Sequence, residues 1–184
     1  MKKLMMFAAV AMSAVVASAA QFEWSASQIR NGWGDGASKI DGTAYLFLVG
    51  GEVSASSIAS AISGAADTTT LATTLSGKSI DSAAVSGGLI EGKTPEGISA
   101  TAPADLFFVV ISGDNVYQSG VEQLTEIQTI GSTSLAFGSQ KSATQAASAW
   151  KTVGGGGTDP LPEPTSGLLL LVGGAMLALR RKQK

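Results

Sequence analysis

The chain has 184 residues, with 12 Lys and Arg against 14 Asp and Glu, and neither Cys nor His. Without Cys there is no disulfide to staple an exported fold. Without His or Cys there is no Ser-His-Asp or Cys-His nucleophile system, no His general base and no thiolate or imidazole metal site. All 14 acids lie between Glu23 and Glu163 together with only six of the cations, a net −8 for that segment, which argues against nucleic acid and anionic membrane surfaces as partners.

At the N-terminus, Lys2 and Lys3 precede an apolar stretch over residues 4–16, and Ala17-Ser18-Ala19 fits the small-x-small cleavage pattern. Residues 1–19 therefore read as a secretory signal peptide with Ala17 and Ala19 at the cleavage site, cut before Ala20, or failing that before Gln21. The body that follows, residues 20–152, is long enough for one domain with a modest core.

Strand signals dominate the body. Residues 43–49 (TAYLFLV) and 105–112 (DLFFVVIS) are apolar on both faces, so both are expected as central strands covered from two sides. The second run meets Gly113-Asp114-Asn115, which predicts a hairpin with residues 116–118. Residues 22–25 and 133–137 are weaker strand candidates. Ile58 and Ile62, like Leu71 and Leu75, are spaced i, i+4, so residues 55–62 and 68–75 are expected as short amphipathic helices. Residues 121–130 suit helix or strand, and the Ala-rich residues 140–150 suit a short helix. The fold class is mainly β with a few short helices, a β-sandwich being one arrangement such strands adopt. Beyond it, Gly154 to Gly157 and the prolines that follow read as a linker over residues 153–161.

The chain closes on Pro162-Glu163-Pro164, an apolar run over residues 165–179, and the cations Arg180, Arg181, Lys182 and Lys184. As a helix the run would span roughly 22 Å against a hydrocarbon core of about 30 Å, a short single transmembrane helix whose terminal cations snorkel. Clustered cations stay cytoplasmic, so the body is expected outside. This order of tripeptide, span and basic cluster resembles the PEP-CTERM sorting tail, over about the last 23 residues. The resemblance implies recognition and cutting by a membrane-embedded exosortase, with release or transfer at the cell surface. Residues 161–165 (LPEPT) are also similar to the LPxTG sortase signal, but Pro164 stands before Thr165 and Ser166 before Gly167, so sortase anchoring ranks second.

Chemistry-bearing residues are few. Ser148-Ala149-Trp150-Lys151 matches S-x-x-K, yet neither S-D-N nor K-T-G accompanies it. Asp35, Asp41, Glu52, Asp105 and Asp114 could serve glycoside hydrolysis, but no spacing selects a pair. Asn31-Gly32-Trp33-Gly34-Asp35-Gly36, with Asp41, offers oxygen ligands without a calcium-loop pattern and is expected as a plain turn. Trp24, Trp33 and Trp150 are expected to pack rather than stack on sugars. No cofactor, metal or nucleic-acid partner is expected. The expected function is that of an exported, non-enzymatic surface or matrix protein, membrane-anchored or released after tail processing. Its expected partners are an exosortase-type enzyme, the membrane and, through the resemblance, exopolysaccharide. The alternative is a carbohydrate-binding module or small glycoside-acting enzyme on a membrane tether.

Overall fold

The computed structural model describes residues 18–33, 38–128 and 131–154, all within a compact unit that ends at Gly154. Ten strands form one sheet: β1 (Ser18–Ser27), β2 (Gly42–Leu48), β3 (Asp81–Ser86), β4 (Leu89–Lys93), β5 (Ile98–Ala100), β6 (Ala104–Ser112), β7 (Asn115–Gln118), β8 (Glu122–Leu124), β9 (Ser132–Ser139) and β10 (Trp150–Thr152). The spatial order is β10-β7-β6-β2-β3-β4-β1-β5, with β8 on β6 and β9 on β1. Every pairing is antiparallel except β1 with β9.

The sheet is curled. Neighbouring strands lie about 4.8 Å apart, so in a flat sheet β1 would sit roughly 19 Å from β6. Instead the Trp24 ring on β1 lies 6.2 Å from the Phe108 ring on β6, and Phe137 on β9 lies 4.8 Å from it. The strands wrap round an interior of Trp24, Ala26, Ala44, Leu46, Val85, Ile90, Leu106, Phe108, Val110, Leu135 and Phe137. A sandwich would need two sheets. This chain closes its core by bending one sheet on itself.

Both apolar runs expected as central strands are central. β2 lies between β3 and β6, and β6 is flanked by β2 on one side and by β7 and β8 on the other. Their alternate residues serve different cores: Leu46 and Phe108 point into the curl, while Tyr45, Phe47, Phe107 and Val109 point outward. Two helices cover that outer side. α1 (Ala55–Gly64) lays Ile58 and Ile62 on it, and α2 (Thr68–Ser76) adds Leu71 and Leu75. Neither helix has strong intrinsic propensity, so local caps specify where each begins. Ser54 and Ser57 form a reciprocal capping box for α1, and Asp67 accepts from the Thr70 N–H (2.7 Å) and hydroxyl (2.9 Å) for α2.

The expected hairpin of β6 and β7 is present, with Ser112 opposite Asn115. The ambiguous residues 121–130 contribute only the short β8, and residues 140–150 give α3 (Lys141–Thr144), a 3-10 turn (Ala147–Ala149) and the start of β10. The sequence reading missed β3 and β4. They form a two-residue hairpin at Gly87-Gly88, where φ of +53° and +72° suits only residues without a Cβ penalty.

The ladders of two long strands, β1 and β6, each break where the partner segment brings in a hydroxyl residue. β4 and β5 are successive partners of β1, and between them the Thr94 N–H donates to the Phe22 carbonyl while Thr94 Oγ1 accepts the Phe22 N–H at 2.8 Å. β7 and β8 are successive partners of β6, and Ser119 makes the same pair of bonds to Phe108, its Oγ accepting at 2.9 Å. Each hydroxyl keeps a fully buried phenylalanine's N–H paired where the ladder breaks.

Candidate functional site

The residues that carry the sorting expectation, Pro162, Glu163, Pro164, Arg180, Arg181, Lys182 and Lys184, lie outside the described residues, as do the span expected over residues 165–179 and Ala17 of the expected leader. Among the described residues no helix is long and apolar enough to cross a membrane. Ala19 is described as part of β1, its backbone opposite Ser99 of β5.

Within the body, alternation along β1, β4 and β9 builds one polar face. Trp24, Ile90 and Leu135 turn into the core. Glu23, Ser25, Glu91, Lys93 and Ser134 line an open groove of about 410 Å³ on the sheet. Glu23 stands opposite Lys93, whose ammonium donates to Glu23 Oε1 at 2.8 Å. That bond, the largest cause, holds the Glu23 carboxyl below its ordinary range. Both partners are about half exposed, at 55% and 52%, so the pair fixes side-chain positions more than it stabilises the fold. Glu91 stands opposite Ser25, one diagonal step from Glu23, a separation of about 7–8 Å between backbones. The groove thus offers two carboxylates, one ammonium and hydroxyls, which can accept and donate toward a polyhydroxylated chain. Nothing in it concentrates one sign of charge.

The floor of this face depends on Gly92. A Cβ there would run into the Trp24 indole, which crosses beneath it to donate from Nε1 to Asp81 Oδ2 of β3 at 2.6 Å. The Trp24 ring therefore ties together three neighbouring strands, β1, β4 and β3.

The other candidates scatter. Asp41 accepts from the Gly87 N–H, and Asp105 accepts from Gln123. Glu52 and Asp114 sit in separate turns, and Asp35 lies outside the described residues. Among the described residues no three carboxylates come together as metal ligands. Lys151 donates to Ser63 Oγ of α1 at 3.2 Å and not to Ser148, so the S-x-x-K spacing does not assemble a serine–lysine pair. Trp24 and Trp150 are buried as expected; Trp33 is 40% exposed, edge-on to Trp150 with ring centroids 4.6 Å apart.

Sequence reasoning passed over Glu23, Ser25, Glu91 and Lys93. The signal was present as polar–apolar alternation in residues 21–26 (QFEWSA) and 89–93 (LIEGK), which marks a half-buried strand whose polar set shares one face. Comparison of the chain with protein-family models, with curated proteins and with solved structures finds no match in any of the three.

Proposed function

We propose that this is an exported, non-enzymatic surface protein whose body lies outside the cytoplasm and whose tail is read by an exosortase-type membrane enzyme. The observation that carries the reading is the order of Pro162-Glu163-Pro164, apolar span and terminal cations at the end of the chain. The leader-like N-terminus and the acidic body support the same destination. Intact-mass measurement on protein from cells with and without the exosortase tests it. The expected result is loss of the segment after Pro164 only when the enzyme is present. An unchanged C-terminus in both strains would reduce the tail to a plain membrane anchor.

A second reading, contact with extracellular polysaccharide, is favoured by the groove on β1, β4 and β9 and by the exposed Trp33. The two sites are separable. Retention of the protein on the producing cell's own exopolysaccharide is expected to fall at least several-fold in Glu91→Gln if the groove binds, and in Trp33→Ala if stacking does. No retention of the unmodified protein would remove this reading.

A further inference from the structure

The charged groups that line the groove on β1, β4 and β9 are not equivalent. Glu91 and Lys93 stand two residues apart on the outward face of β4, but the Lys93 ammonium is turned to Glu23, opposite it on β1, at 2.8 Å. Among the described residues the Glu91 carboxylate has neither a hydrogen-bond donor nor a cation beside it, and the hydroxyls of Ser25 and Ser134 are likewise without a protein partner. Once the Glu23–Lys93 pair is set aside, the groove is left with one carboxylate and two hydroxyls.

Those groups decide what can sit there. An ionised carboxylate accepts hydrogen bonds and gives none, so it favours a donor, and a cationic donor makes the stronger, charge-assisted bond. A chain of acidic sugars would bring more negative charge against Glu91 and Glu23 while the one cation of the groove is already held. It would also approach an acidic body, since 11 Asp and Glu stand against 6 Lys and Arg among the described residues. A neutral sugar is best held by an aromatic ring beneath its apolar face, and the groove presents none. Trp24, the aromatic residue of its lining, is 2% exposed and gives its N–H to Asp81. A single exposed ion pair contributes little, so one amino sugar would be held poorly. A polymer with an amine on many units re-binds at high effective concentration and turns the weak contact into retention.

We propose that the groove takes a polysaccharide bearing free amino groups, with Glu91 accepting from a sugar ammonium and Ser25 and Ser134 bonding to the hydroxyls beside it. The proposal rests on the polysaccharide reading of the groove and narrows it to one class.

Retention of the purified full-length protein on immobilised chitosan, dextran and alginate, an amino, a neutral and a uronate polymer, tests it in mildly acidic buffer of physiological ionic strength, where the chitosan amines are charged. The protein is expected to be retained on chitosan alone. That retention should fall at least several-fold in Glu91→Gln and stay unchanged in Glu52→Gln, which removes the same charge from a separate turn. Glu91 is exposed and makes no bond within the fold, so thermal unfolding of Glu91→Gln should match the parent, which separates a lost contact from a lost fold. Equal loss in the two variants would mean attraction by the whole acidic surface and would overturn the proposal. Passage through chitosan with retention on dextran or alginate that Glu91→Gln abolishes would overturn it too, while keeping the groove as a polysaccharide site. No retention on any of the three polymers, or on the producing cell's own exopolysaccharide, would remove both readings.

Discussion

Trp24 and Gly92 are a coupled pair, because the indole occupies the space a Cβ on residue 92 would need. Gly92→Ala is expected to lower unfolding free energy by about 1–3 kcal/mol through overpacking, and Trp24→Ala by about 3–5 kcal/mol. Since the smaller residue at 24 makes room for the alanine, the double variant should lose less than the sum, which chemical denaturation of the four proteins would measure. Asp67 gives a pH dependence of known sign. The Thr70 N–H, then the Thr70 hydroxyl, hold its carboxyl below the ordinary value. Its contribution is therefore complete above the unfolded-state pKa and lost as pH falls through the lower folded-state value. Asp67→Asn keeps a good cap without the charge, so melting temperature below about pH 4 should fall less steeply for the variant than for the parent.

At the scale of elements, the hydroxyl breaks in the two long strands make the sharpest prediction. Thr94→Val keeps the shape but leaves the Phe22 N–H without its acceptor, and Ser119→Ala does the same to Phe108. Each should cost about 1–3 kcal/mol in thermal or chemical unfolding, far more than typical surface Ser or Thr substitutions. Elements with an unbroken signal were legible: residues 43–49 and 105–112 announced β2 and β6 because burial on both faces leaves no polar interruption, and Ile58/Ile62 and Leu71/Leu75 marked the helices that cover them. β3 was not, since Asp81-Ser82-Ala83-Ala84-Val85-Ser86 brings only Val85 deep into the core and small residues elsewhere. Its turn, Gly87-Gly88, was the readable part. β5 and β8 owe their strand character to tertiary partners across a break, which no local pattern encodes. The groove lay between these cases, its alternation visible in each strand and its assembly dependent on β9 arriving beside β1.

At the scale of the molecule, the −8 of residues 23–163 and the closing cations divide the chain into an acidic part and a basic end, and the tail's resemblance gives that division its proposed purpose. The curled sheet adds a constraint of another kind. β1 is the first part of the body to be made, yet its partners are β4 at residues 89–93 and β9 at residues 132–139. The parallel partner arrives more than a hundred residues after the strand it completes. Most of the body must therefore be present before the N-terminal strand has both neighbours, and contacts of such long sequence separation place folding in the slow range, about milliseconds to seconds. Stopped-flow refolding read through the buried Trp24 should fall in that range; microsecond recovery would mean that the sheet assembles by a more local route. During synthesis the body thus has no early finished half. β1 stays without its second neighbour until the last strands emerge, so the sheet cannot close round its core before then, as passage through the proposed export route would require.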